Sequence, residues 1–157
     1  MELIIVLTIL AVMSAAAIPV FSGSLGTVES DHAVRDFVAL IKYAQERAVT
    51  DLREYRLYLD PEKGRYFLMT LQRTAEGKKR FKALDEKQGE ALFLPSRLTM
   101  KKPSAKKDRK LGLYYVSFYP SGACDEATIT LQSKDSGKIK IETGGSLGKI
   151  KVDRDKH

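Results

Sequence analysis

The chain has a single cysteine, Cys124, and only two histidines, His32 and His157, among 157 residues. One thiol excludes an intrachain disulfide and leaves the redox compartment unread. The histidines stand far apart in sequence, so no Ser/His/Asp arrangement and no credible metal-ligand spacing can be written. Asp153 and Asp155 remain as two carboxylates on a tail expected to fray, where solvation is their ordinary state. The sequence therefore predicts no catalytic, cofactor-binding or metal-binding residue, and no enzyme. Basic residues are missing from the start: no Lys or Arg precedes Arg35, which argues against the basic leading region of a cleaved secretory signal. No internal repeat appears at periods of roughly 20 to 50 residues, so a solenoid or propeller is not expected.

What the N-terminus does contain is an apolar run. Leu3 to Phe21, 19 residues interrupted only by Thr8, Ser14 and Pro19, would span roughly 28 Å as a helix, close to the hydrocarbon thickness of a bilayer. A helix with no polar face needs burial on all sides, which a small domain does not supply, so the run predicts a single-pass membrane helix. Glu2 is the odd residue in it, because a carboxylate at the edge of the bilayer core is costly unless paired or wet. The division expected is 1–28, a transmembrane helix and the start of a helical spine, then 29–157, one compact domain beyond the membrane.

Glu2 is the sole ionisable side chain before Glu29, so the outer part holds 27 basic against 19 acidic groups, a balance of +8. Such a charge points to an anionic partner, whether nucleic acid, lipid headgroup or acidic protein, and says nothing of fold. The cations cluster at Lys78-Lys79-Arg80, from Lys101 to Lys110, and at Lys149, Lys151 and Arg154. The middle cluster, with Lys106 and Lys107, reads as a mobile loop between strands, either merely solvating or a docking surface for acidic neighbours or nucleic acid.

Beyond Phe21, Ser-Gly-Ser-Leu-Gly-Thr reads by composition as a linker, with Ser30 and Asp31 capping a second helix. Val34, Phe37, Val38, Ile41, Ala44, Ala48 and Leu52 recur at the helical period and predict one buried stripe. Asp31/Arg35 and Lys42/Glu46 are expected as solvated pairs one turn apart. After Leu52 the period shortens to two. Tyr55 to Asp60 and Arg65 to Leu71, joined by Pro61-Glu-Lys-Gly64, predict a hairpin. Further strands are expected at Ala91–Met100, Leu113–Tyr119, Ala127–Gln132, Lys138–Glu142 and Lys149–Val152. In Phe118-Tyr-Pro-Ser-Gly122, Phe118 should end a strand pointing inward while Pro120 and Gly122 make a turn. Tyr114, Tyr115 and Tyr119 near lysines have the makings of a base-stacking surface, but aromatics alternating in a strand are expected to pack within the protein.

Three stretches together carry a family resemblance. Met-Glu-Leu-Ile-Ile-Val-Leu, with Pro19 following Glu2 by 17 residues, resembles the N-terminus of type IV pilins and type II secretion pseudopilins. Ile41-Lys-Tyr-Ala-Gln-Glu-Arg-Ala48, 25 residues after Pro19 counted at Ala44, resembles the GspH/FimT branch. Phe118-x-Pro-x-Gly122 resembles the turn of the same branch, whereas residues 73 to 110 match only in length. Met1 falls on the family's fourth mature position, so the prepilin leader and the first three mature residues are missing from the match, and Ala11 stands where the family has glycine.

The resemblance implies an α+β, pilin-like fold: one long helix, half transmembrane and half amphipathic, continuous through Gly23 and Gly26 and packed on antiparallel sheet. It implies a bacterial inner-membrane protein with its C-terminal domain in the periplasm, assembling with other pilins or pseudopilins through Glu2 and Pro19. Prepilin peptidase becomes a partner if a leader lies upstream. The preferred reading is a minor pseudopilin near the tip of the short type II secretion pseudopilus. The alternative is a minor pilin of the FimT kind, in which Gly148-Lys-Ile-Lys151 takes the place of a Gly-Arg-x-Arg tail that binds DNA. Lysine neutralises phosphate there but lacks the bidentate fork.

Overall fold

The computed structural model describes the backbone of residues 2–73, 77–84, 89–134, 137–145 and 148–155, and the side chains of these except at 2 and 10–27. A single helix, α1 (Glu2–Thr50), runs for 49 residues without a break, a length of about 74 Å. The linker and helix cap expected from composition give way here. Gly23 and Gly26 each cost a helix interior about 1 kcal/mol, whereas nucleating a second helix costs about 4 kcal/mol. Ser30, expected as a cap, is instead an interior helical residue and fully buried.

Val34, Phe37, Ile41, Ala44 and Ala48 form the buried stripe, none more than 1% exposed. Val38 packs at its margin, and Leu40 joins the core. Leu52 leaves the stripe and is 76% exposed. The helix stops at Thr50, Leu52 turns to a φ of 52°, and the Arg53 N–H donates to the Ala48 carbonyl at 3.2 Å. That closing bond swings the next side chain off the helical face, so the period does not extend through Leu52.

Among the described residues ten strands follow: β1 (Tyr55–Asp60), β2 (Arg65–Arg73), β3 (Lys79–Ala83), β4 (Leu92–Phe93), β5 (Leu98–Met100), β6 (Lys106–Lys107), β7 (Tyr114–Phe118), β8 (Cys124–Ser133), β9 (Gly137–Gly145) and β10 (Lys149–Asp155). They make one sheet in the order β10-β9-β8-β7-β1-β2-β3, with β4 on β2, β5 on β8 and β6 on β7. Every named pairing is antiparallel. The β1–β2 hairpin turns where expected. Asp60 caps it by accepting from the Lys63 N–H at 3.3 Å and from Arg65 Nη2 at 3.2 Å. The inner face alternates as a half-buried sheet must: Leu57, Leu59, Leu68, Val116, Phe118, Ile129, Leu131 and Ile141 are fully buried against α1.

Strands β7 and β8 meet only at Phe118 and Cys124. The gap beyond is filled by the chain from Leu98 to Lys107, which pairs with β8 through β5, bridges Ser104 to Thr128, and pairs with β7 through β6. The basic stretch from Lys101 to Lys110 is therefore tied into the sheet rather than a mobile loop, because its backbone groups find partners on two strands and Pro103 is buried between them. The strand expected over Ala91–Met100 divides in two, since Pro95 has no N–H to give and its carbonyl instead accepts from Leu98 in a turn. The C-terminal tail is not frayed: β10 stays in register with β9 as far as Asp155.

Candidate functional site

The N-terminal part of α1 projects apolar side chains without cover. Leu3, Ile4, Ile5, Val6, Leu7 and Ile9 are between 54% and 74% exposed. Thr8 does not interrupt the surface, because its hydroxyl donates to the Ile4 carbonyl at 2.7 Å. Glu2 and Pro19 both lie in α1, but their side chains fall outside the described residues, as do Met1 and His157. Among the described residues no helix is long and apolar enough to cross a membrane.

The three tail cations do not act together. Lys149, Lys151, Asp153 and Asp155 alternate onto one face of β10, and Ile150 and Arg154 onto the other, towards α1. Arg154 Nη1 reaches Asp31 Oδ1 on the helix at 3.1 Å, so Asp31 pairs with the tail rather than only along its own helix as the one-turn spacing to Arg35 suggested. On the outer face Lys151 stands opposite Glu142 and Asp153 opposite Lys140. Lys140 pairs with Glu142 at 2.5 Å, and Lys151 with Asp153 at 3.5 Å. The open hollow beside Lys149 and Lys151, about 560 Å³, also holds Glu126 and Glu142. Each outer lysine thus has a carboxylate within its own patch, and the face is zwitterionic.

Lys106 is also committed. Its Nζ lies 2.7 Å from Asp125 Oδ1, on a carboxylate only 10% exposed. The same carboxylate accepts from the Ser117 N–H at 3.2 Å and the Tyr119 hydroxyl at 3.1 Å. Burial pushes the Asp125 carboxyl up, and the bonds from Lys106, Ser117 and Tyr119 outweigh it, so the group sits below the ordinary carboxylate range. The hydrogen bond to Asp125 holds the Lys106 ammonium above its usual value. Lys106 therefore pins β6 to β8. Lys107 lies over the Tyr114 ring at 5.5 Å.

The aromatics pack within the protein. The Arg56 guanidinium lies 3.8 Å from the Phe81 centroid and 4.5 Å from that of Tyr115. Tyr58 stacks on Phe67 and donates to Asp108 at 3.1 Å. The Arg56–Phe81 contact supports β3, which pairs with β2, a strand that no alternation in Lys-Arg-Phe-Lys-Ala announces.

Gln45 is a positioning residue that no sequence pattern singles out. From α1 its Nε2 donates to the carbonyls of Gly122 at 3.3 Å and Gly148 at 3.1 Å, joining two distant turns. His32 is exposed on α1. Cys124 is buried, and burial pushes its thiol up, away from the thiolate that reactivity needs. Among the described residues no group of three His, Cys, Asp or Glu side chains is placed to hold a metal ion.

No family model and no curated protein matches the sequence. Solved structures do match. The chain is similar to the minor pseudopilin EpsH of the type 2 secretion system of Vibrio cholerae, with 15% identity and a TM-score of 0.59 over 80% of this chain and 97% of that one. A second EpsH structure gives 14% identity and a TM-score of 0.58, over 82% and 96% of the two chains. The type IV minor pilin FimU of Pseudomonas aeruginosa (strain PAO1) gives 18% and 0.53, over 81% and 90%. Identities this low establish the fold, and that fold is the pilin-like α+β arrangement of a long helix on antiparallel sheet.

Proposed function

We propose that the chain is a structural, non-catalytic subunit of a pilin-like filament, specifically a minor pseudopilin of a type II secretion system placed near the tip of the periplasmic pseudopilus. The observation that carries the reading is the uncovered apolar start of α1 on a domain of pilin-like fold. At about 25 cal/mol per Å² of apolar surface, leaving such a segment in water is costly, so it must be covered by lipid or by the helices of neighbouring subunits. Before assembly the segment resides in the bacterial inner membrane as a single pass, with the domain in the periplasm. After assembly it joins the bundle of its neighbours.

Glu2 would then pair with the N-terminal amine of an adjacent subunit, since a lone carboxylate among apolar side chains is expensive. Expressed from its own locus, a Glu2→Leu variant should still fractionate with the membrane but should not crosslink to other filament subunits. Normal crosslinking by that variant would refute the assembly role. The likeness to FimU supports a second reading, a minor pilin of a type IV pilus. Deletion of the gene separates them: loss of protein export with intact pili supports the first, loss of pili or of DNA uptake the second.

A further inference from the structure

At the end of the domain where α1 stops, a groove of about 460 Å³ opens between the helix terminus, the β2–β3 ends and the turn after β7. Its apolar lining includes Leu52, Leu71 and Pro120, and its cations are Arg53, Arg73 and Lys79. None of these three cations pairs with a carboxylate among the described residues. Glu54, the single acid among the described residues of the wall, is occupied by Arg56 Nε at 2.9 Å. The helix C-terminus contributes about half a negative charge here, which three full cations exceed. Leu52 makes the groove unusual: it holds a φ of 52° that glycine would adopt freely, and it spends that conformation on exposing 76% of an apolar side chain.

We infer that this groove is a docking site for an acidic peptide segment of another protein, one that seats an apolar side chain against Leu52 and Leu71 and sets carboxylates against Arg53, Arg73 and Lys79. Charge selects the partner. A second copy of this chain carries excess positive charge and is repelled, while a nucleic-acid phosphate leaves the apolar lining uncovered. The site lies at the opposite end of the domain from the projecting part of α1, so occupation does not compete with helix burial in lipid or filament. The inference goes beyond the filament reading and does not depend on it.

The test uses the full chain in zwitterionic detergent micelles, isotope-labelled for NMR, titrated with the blocked peptide acetyl-Asp-Glu-Leu-Phe-Glu-Asp-amide. Saturable shifts should appear at Arg53, Leu71 and Lys79. The double variant Arg73→Glu, Lys79→Glu should bind about fivefold more weakly or worse. Leu52→Gly, which keeps the charges and suits the backbone, should also weaken binding. A peptide with alanine in place of Leu-Phe should bind less well than the parent. Four outcomes overturn the proposal: no saturable shift at millimolar peptide, equal weakening by Lys149→Glu with Lys151→Glu, the same localised shifts produced by a duplex oligonucleotide, or the same shifts growing with protein concentration alone.

Discussion

The Gln45 amide holds the Gly148 carbonyl at 3.1 Å, linking the C-terminal part of the helix to the turn between the last two strands. The approach is so close that a Cβ on Gly148 would lie 2.1 Å from Gln45 Nε2 and 2.4 Å from the Gly122 carbonyl oxygen, at a φ of 56°. Gly148→Ala should therefore destabilise the domain by about 2 kcal/mol or more. Gln45→Ala should cost about 1 to 2 kcal/mol by orphaning two partly buried carbonyls. Because the Gly122 carbonyl is in the way as well, the double variant should not recover the loss. Urea unfolding of the four proteins measures all three quantities.

Leu52→Gly should move stability in the other direction. The left-handed conformation costs an L-residue about 1 to 2 kcal/mol, of which glycine's extra chain entropy returns part, and little burial is lost from a side chain 76% exposed. A gain of about 0.5 to 1 kcal/mol in chemical denaturation is expected. A loss of stability would mean that Leu52 packs against something in solution.

Phe37 is fully buried, with its ring edge-on to Tyr66 at a centroid distance of 4.8 Å. Phe37→Ala should cost about 3 to 5 kcal/mol. A loss below about 1 kcal/mol, by thermal or urea unfolding, would place this face of α1 elsewhere.

Asp125 should report on acid. Its folded value is depressed below the ordinary 3.8, so its contribution is present above about that pH and is lost as pH falls through the lower folded value. Asp125→Ala should cost about 2 to 3 kcal/mol near neutrality, because it strips the partners of Lys106, Ser117 and Tyr119 together. The difference from wild type should shrink below pH 3.8. A gap that stays constant to low pH would show that the carboxylate is not the source. Lys106→Glu, which sets two carboxylates face to face, should destabilise at neutral pH and so makes a poor probe of surface charge.

Duplex DNA should discriminate poorly among the exposed lysines. Lys149→Glu with Lys151→Glu, and Lys101→Glu with Lys102→Glu, should each weaken low-salt binding of the full chain to a similar extent, and near-physiological salt should abolish what remains. Salt-resistant binding lost with the β10 pair alone would favour DNA uptake over export.

Periodic features were legible in the sequence and long-range ones were not. The stripe from Val34 to Ala48 announces itself through helical spacing, and the β1–β2 hairpin and Gly122 turn through alternation and turn chemistry. Leu52 continues the arithmetic of the stripe after the backbone has stopped obeying it. Strand β3 is basic rather than alternating, and what holds it is Phe81 against Arg56, a contact spanning two strands. The ladder of Lys101 to Lys110 against β8 and β7 depends on a split between strands that no local pattern encodes. Lys106 and Asp125 are 19 positions apart, and Gln45 looks like any polar helix residue until the turns close over it. Glu2 and Pro19 are expected as assembly residues only through register with a family, and their side chains lie outside the described residues.

The buried stripe of α1 is also widest in its middle. Ser30 and Val34 come first, the bulk sits at Phe37, Leu40 and Ile41, and Ala44 and Ala48 follow towards Thr50. Sliding the helix along its axis in either direction drives wide side chains into spaces sized for small ones, and close packing leaves no slack to absorb them. The middle of the stripe therefore acts as a detent that locks helix and sheet against axial slip both ways, so that load applied along the helix reaches the sheet without lost motion.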